Sequence, residues 1–445
     1  MKWIFALASF LGYGYVSFLH SRNDFASFLA VILVLFGSLF YFYRERSQLR
    51  WKEVLFMSIA FRLIFIGHTP ELSNDYCRFL WDGMIVNHGE NPYVQTPDNY
   101  PFFQAITIDG SRHEGSRYYA NMNSAQYYSP YPAVCQYIWG FSESLFSSVH
   151  SKIVALRFII LLFEIGTILL LFKSLKLLGK DNSLVAMYAL NPLVILEFTG
   201  SLHPEVFMLF FLVLALFLYL KNKTVFSAMA FGFAIASKIL PLIILPFLIN
   251  KIGFKKAFVY GIIAAVTAVL LFVPFYDPVI PDNIQSSVGL YFGQFYFNAS
   301  LFYVVKEISD WMNARDLRFE IAPILSFIST AIILSLAFFK RKSADLFVRI
   351  LFAFSVYFLF STTVHPWYIG IIALIGVFTN YTFSFVWCML AMLSYSHYSG
   401  GQMREHYAWI ILEYGILIGW IIFELWKRYR NINSESRVHS TLSGL

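Results

Sequence analysis

Two acids and an arginine stand on one short stretch, Ser73-Asn74-Asp75-Tyr76-Cys77-Arg78-Phe79-Leu80-Trp81-Asp82-Gly83, just after an apolar run ends. The polar insertion they open runs from His68 to Pro132, through Asn91-Pro92-Tyr93 to Tyr127-Tyr128-Ser129-Pro130-Tyr131-Pro132. Elsewhere, ionisable and aromatic groups interrupt apolar runs at His203 and Glu205, at Lys238, and at His365-Pro366-Trp367-Tyr368. A carboxylate can take a proton from an acceptor hydroxyl. A lysine or arginine can neutralise a departing phosphate, and the aromatics can stack on a sugar or hold a lipid chain. Charge beside hydrocarbon is costly, so these groups in an apolar chain point to function.

The elements that must position them are membrane helices. Of the 445 residues, 58% are hydrophobic and 13% charged, where soluble domains carry about 25% charged residues. Mean hydropathy is +0.62. The aromatic share of 20%, with 49 Phe, suits lipid-facing surfaces and interfacial belts. The net charge of +7 fits basic cytoplasmic loops and excludes nucleic acid as a partner. Cys77, Cys135 and Cys388 form no disulfide framework; Cys77 and Cys135 can pair if both lie in an extracytoplasmic loop, and two isolated thiols is the preferred reading. No His/Cys metal-ligand spacing occurs, so no metal is expected.

Apolar runs near 3–19, 24–43, 52–67, 153–172, 183–200, 204–220, 257–275, 319–339, 345–362, 365–379, 382–398 and 406–426, with two half-length segments at 225–237 and 239–250, give about fourteen spans. The first resembles a signal peptide but lacks a convincing cleavage site, and is read as a retained span. The basic segments 44–52, 173–180, 251–256, 340–342 and 427–430 are cytoplasmic by the positive-inside rule, with both termini inside. That places 68–132 outside, where acids outnumber bases by seven to three. Residues 133–149 are read as an interfacial helix closing the loop, because a crossing there would invert the basic segment that follows 153–172. The expected organisation is one membrane domain over 1–430, with 68–149 as the extracytoplasmic catalytic loop, and a short cytoplasmic tail over 431–445. Segments 225–237 and 239–250, broken at Lys238 and Pro241, belong where they line a cavity or pack in protein.

The run Asp75-x-x-Arg78-Phe79-Leu80-Trp81-Asp82-Gly83, with Asn91-Pro92-Tyr93 and Tyr131-Pro132-x-x-x-Gln136, resembles bacterial GT-C mannosyltransferases that use polyprenyl-phosphate-mannose. It is more distantly similar to the GPI mannosyltransferase I family. The likeness continues through Asn191-Pro192, Gly200-x-x-His203, Lys238-x-x-Pro241 and His365-Pro366-Trp367-Tyr368, covering roughly residues 70 to 370. It implies an all-α polytopic GT-C-like bundle in the bacterial inner membrane. It further implies a lipid-linked sugar donor as substrate with no separate cofactor, an acceptor of unresolved identity (glycan, glycolipid or protein), and Asp75 as catalytic base. Two departures stand out: Ala133 replaces a second proline after Tyr131-Pro132, and Glu205 replaces a shorter acid in the Gly200 motif.

The expected substrate-binding residues are Arg78, Trp81, Asp82, Tyr131, His203, Glu205, Lys238, His365, Trp367 and Tyr368. Each also has a plainer role. Asp75 suits a helix N-cap, Asp82 pairs with Arg78, Lys238 can snorkel, the histidines can be interfacial, and Trp81, Trp367 and Tyr368 can be belt aromatics. Arg157 and Glu164, two turns apart on one span, read as structural. A transporter or flippase for lipid-linked sugars is the alternative to an enzyme, since broken helices carrying charge are also its signature. The absence of an internal repeat and the gathering of charge in one loop weigh against it. A non-catalytic scaffold leaves the clustered acids unexplained.

Overall fold

The computed structural model describes residues 1–100, 118–291, 295–312, 318–338, 345–401 and 403–442. Arg112, Arg117 and the basic segment 340–342 lie outside the described residues. The regular structure described is helical, apart from an isolated bridge between Phe297 and Thr363. Apolar segments in hydrocarbon must satisfy their backbone internally, which selects helices. Five described helices are long and apolar enough to cross a membrane: Phe25–Arg44, Val149–Leu177, Phe254–Phe275, Phe319–Phe338 and Tyr407–Asn431. They become six if Asn182–Ala189 and Pro192–Gly200, bent by 49°, form one span.

The count of about fourteen read from hydropathy therefore meets many shorter helices, among them Glu205–Leu220, Thr224–Ile235, Leu240–Ile252, Leu346–Phe360 and Pro366–Gly376. Their punctuation has local causes. Asn191 is extended ahead of Pro192, and its Oδ1 accepts from Leu193 N at 3.1 Å, so one helix ends and another starts. The helix Tyr407–Leu442 runs on past Asn431 into the expected tail. The three cysteines are buried and free.

Buried polar groups fasten the helices. Arg62 Nε donates to Glu164 Oε2 (3.0 Å), Arg62 Nη1 donates to Ala189 O (2.8 Å), and Tyr188 Oη donates to Glu164 Oε1 (2.8 Å). Arg157 donates to Thr199 O at 2.8 Å, Gly200 O at 3.0 Å and Ile66 O at 3.2 Å. One guanidinium thus ties the chain entering the polar insertion to the bent helix pair that ends at Gly200. Arg157 and Glu164 are structural, in line with the sequence reading.

Two helices frame the insertion, Asp75–Asn87 and Ala133–Ser144. They pack closely because both contact points are glycine: a Cβ on Gly83 would stand 2.7 Å from Trp139 O, and one on Gly140 would stand 2.7 Å from Val86 Cγ1. The expected helix after residue 133 is present. It is fixed to the Lys238 break by Val134 N donating to Ala236 O (3.0 Å).

Candidate active site

Asp75 opens the helix Asp75–Asn87, with its side chain 21% exposed. Its N–H donates to Ser73 Oγ (3.2 Å), and its Oδ1 receives a long hydrogen bond from Asn123 Nδ2 (3.4 Å). The preceding Asn74 occupies the N-cap position, so Asp75 is not the cap. Its Oδ2 faces His203 Nε2 at 3.7 Å, an ionic approach longer than a hydrogen bond.

His203 is presented by an unusual turn. The segment Ile195–Gly200 is π-helical, a form frequent at functional sites. Leu202 then adopts φ +67°, and His203 N returns to Glu197 O at 3.1 Å. The ring Nδ1 lies 3.0 Å from the same carbonyl and 3.4 Å from Glu197 Oε2. Tyr395 Oη donates to Glu197 Oε1 at 2.8 Å. Asp75, His203, Glu197 and Tyr395 therefore form a chain from the half-open cleft into the core.

Aromatic rings wall this chain. His203 stacks on Trp367 (centroids 3.7 Å, 16°), Trp367 on His365 (4.3 Å, 5°) and His365 on Phe297 (4.5 Å, 26°). Phe297 is held there by its backbone, donating to Thr362 O (3.1 Å) and accepting from Val364 N (2.9 Å). Tyr368 stands edge-on to His365, and Lys238 Nζ lies 3.8 Å over its ring. Lys238 also forms an ion pair with Glu205. The structure thus brings Asp75, His203, Glu205, Lys238, His365, Trp367 and Tyr368 into one connected group.

Arg78, Asp82, Trp81 and Tyr131 sit differently. Arg78 Nε donates to Asp82 Oδ1 at 2.7 Å, both side chains being 2% exposed or less. Arg78 Nη1 also donates to Ser124 O (3.0 Å) and Tyr127 O (2.8 Å), while Asp82 Oδ2 accepts from Gln136 Nε2 (3.1 Å) and from Ser129 Oγ. These contacts fold the insertion back on its own helix. Trp81 packs edge-on to Tyr100, and Tyr131 packs on Phe79 and Trp139 with its carbonyl accepting from Tyr93 Oη (2.7 Å). In this geometry the four shape the loop that carries Asp75.

Burial opposes charge on His203, but the neighbouring Asp75, Glu197 and Glu205 overcome it and raise the pKa. Burial also pushes the Asp75 carboxyl up, but His203 more than offsets this and holds it below its ordinary value. Asp75 and His203 thus each favour the charged form of the other.

Sequence reasoning missed Glu197, Tyr395 and Asn123. Glu197 had a signal, being the one charged residue of the run 183–200. Tyr395 and Asn123 had none. Among the described residues, no three His, Cys, Asp or Glu side chains converge as metal ligands.

No curated protein and no solved structure matches the sequence. Residues 15–252 match the family model described as MptA_B family, alpha-(1->6)-mannopyranosyltransferase, N-terminal domain. That stretch encloses Asp75, Glu197, His203, Glu205 and Lys238, while His365, Trp367 and Tyr368 come from beyond it. Since the match takes in more than half of the 445 residues, the chain belongs to this family of mannosyltransferases.

Proposed function

We propose that this membrane mannosyltransferase moves mannose from a polyprenyl-phosphate donor to an acceptor hydroxyl on the extracytoplasmic side, with Asp75 as general base. The observation that carries the reading is a partly exposed carboxylate, its pKa held low, facing His203 in a cleft walled by Trp367. Asp75 accepts the acceptor proton as the acceptor oxygen bonds to the anomeric carbon. The bond from that carbon to the phosphate oxygen breaks on the opposite face, so the configuration inverts. Polyprenyl phosphate leaves with the electron pair, and Lys238 neutralises it without a resident metal or separate cofactor. Trp367, stacked between His203 and His365, holds the imidazole that faces Asp75, and the Tyr368 ring holds the Lys238 ammonium. The GT-C-like arrangement, with about fourteen crossings of varied length in the bacterial inner membrane, rests on the apolar runs and their basic punctuation. The acceptor is a glycan, glycolipid or protein.

The test is reconstitution of the purified chain with labelled polyprenyl-phosphate-mannose and a membrane lipid extract. Transfer of label to an acceptor with release of polyprenyl phosphate is expected. Movement of intact donor between leaflets without transfer would instead establish a flippase. Sidedness is checked by cysteines introduced at Asp98 and Lys255. An impermeant reagent added to intact cells should label the first and spare the second, and equal labelling would end the topology.

Lys238→Gln should lower transfer by about 10²–10³-fold, the usual effect of removing one transition-state electrostatic contact. Glu205 and the Tyr368 ring fix the ammonium from two sides. Lys238→Arg should recover part of the loss because charge and reach survive. Wild-type turnover and donor binding in Lys238→Gln would reduce this lysine to a partner of Glu205.

A further inference from the structure

We propose that a groove far from the Asp75 site binds an anionic diacyl phospholipid of the surrounding bilayer. The groove has a volume of about 670 Å³ and lies between the helices Glu205–Leu220, Thr224–Ile235, Leu245–Ile252 and Leu346–Phe360. That volume lies in the range of about 300–1,000 Å³ that ligand sites occupy. Leu212, Leu216, Phe231, Phe247 and Phe347 supply apolar walls.

Its position is fixed by the helix Val149–Leu177. Arg157, near one end, reaches Gly200 beside the candidate active site, whereas Lys180, just past the other end, lines the groove. At a rise of 1.5 Å per residue, Arg157 and Leu177 on this helix stand roughly 30 Å apart.

The polar groups select the headgroup. Lys180, Lys251 and Arg349 line the groove against a single acid, Asp345, which already pairs with Lys180 at 2.8 Å. Arg349 Nε is buried without a hydrogen-bond partner, and Arg349 Nη2 has a long contact of 3.4 Å to Ala337 O. Lys251 also borders an adjoining cavity of about 620 Å³, together with Lys255 and Lys256. Among the described residues these three lysines are exposed and have no ion pair. The helix Phe254–Phe275 beside them is mostly unburied, so the mouth opens toward lipid. Basic pockets between membrane helices bind anionic lipid headgroups in this way. A zwitterionic headgroup brings its own cation with its phosphate, and so adds no net negative charge to balance the excess of Lys180, Lys251 and Arg349 over Asp345.

The full-length protein in nanodiscs is labelled with a phosphatidylglycerol carrying a photoreactive acyl chain, and adducts are mapped. They should concentrate at Leu216 and Phe347 and be competed by phosphatidylglycerol but not by phosphatidylcholine. Lys251→Gln with Arg349→Gln should weaken this labelling roughly 20- to 30-fold, from the ordinary contribution of two basic residues near anionic lipid. Lys251→Gln with Lys255→Gln, at exposed positions where folding is not at stake, should weaken it in the same direction. Leu216→Trp should reduce it by filling the groove with the charges intact. Labelling spread evenly over lipid-facing helices, or equal competition by phosphatidylcholine, would overturn the proposal. Displacement by polyprenyl phosphate at lower concentration than by phosphatidylglycerol would also overturn it, making the carrier the occupant. Because binding is read without activity, neither result depends on the proposed transfer reaction.

Discussion

Asp75→Asn is expected to lower mannosyl transfer by about 10²–10⁴-fold, the range that general-base catalysis supplies. The amide keeps the shape and can still contact Asn123, so the protein should insert and fold as before. What it loses is the capacity to accept a proton. Measured turnover within a few-fold of wild type, in well-expressed protein, would move the base to another acid. The pH profile gives an independent reading. With its folded pKa held below the ordinary 3.8 by His203, Asp75 is deprotonated at neutral pH and stays so well into the acid range. His203→Asn removes the cation and leaves burial, which raises the carboxyl pKa. The acidic limb of the rate profile should therefore move upward, so that activity at about pH 5 falls relative to about pH 8. An unmoved limb would mean that His203 does not set the Asp75 proton.

The second large effect concerns stability. Arg78→Met should destabilise the protein by about 3–5 kcal/mol, because it strands Asp82 as a buried, uncompensated charge. The Ser124 and Tyr127 carbonyls also lose their donor. Arg78→Met combined with Asp82→Leu should be more stable than the single variant, since apolar replacement of both partners removes the stranded charge. Thermal unfolding in detergent, followed by tryptophan fluorescence, ranks the three proteins. A single variant as stable as wild type would show that the pair does not hold the loop.

These two predictions mark what was legible in the sequence. The Asp75-to-Gly83 motif could be read directly because the proposed base, the ion pair and the packing glycine follow helical spacing within one segment. Arg78 and Asp82 are four residues apart, so one turn of helix joins them. The convergence of His203, Lys238 and Trp367 on Asp75 was suggested by charge-derived topology, which brings loops to one level but gives no contacts. The stacking order of His203, Trp367 and His365 depends on the π-helical turn before Gly200 and on the short bridge at Phe297. Neither has a compositional signature. The bend inside the run 183–200 was not legible for a related reason: hydropathy counts apolar residues, but Asn191-Pro192 ends one helix and starts another there.

The aromatic wall has a consequence for biogenesis. Asp75, His203 and Lys238 emerge from the ribosome more than a hundred residues before Trp367 and Tyr368. The N-terminal portion can be threaded into the bilayer while His203 still lacks the indole that covers its face and Lys238 lacks the phenol beneath it. A nascent chain halted before residue 365 would thus hold the Asp75–His203 and Lys238–Glu205 pairs without the rings that cover them, so the site is closed only when the last loops dock.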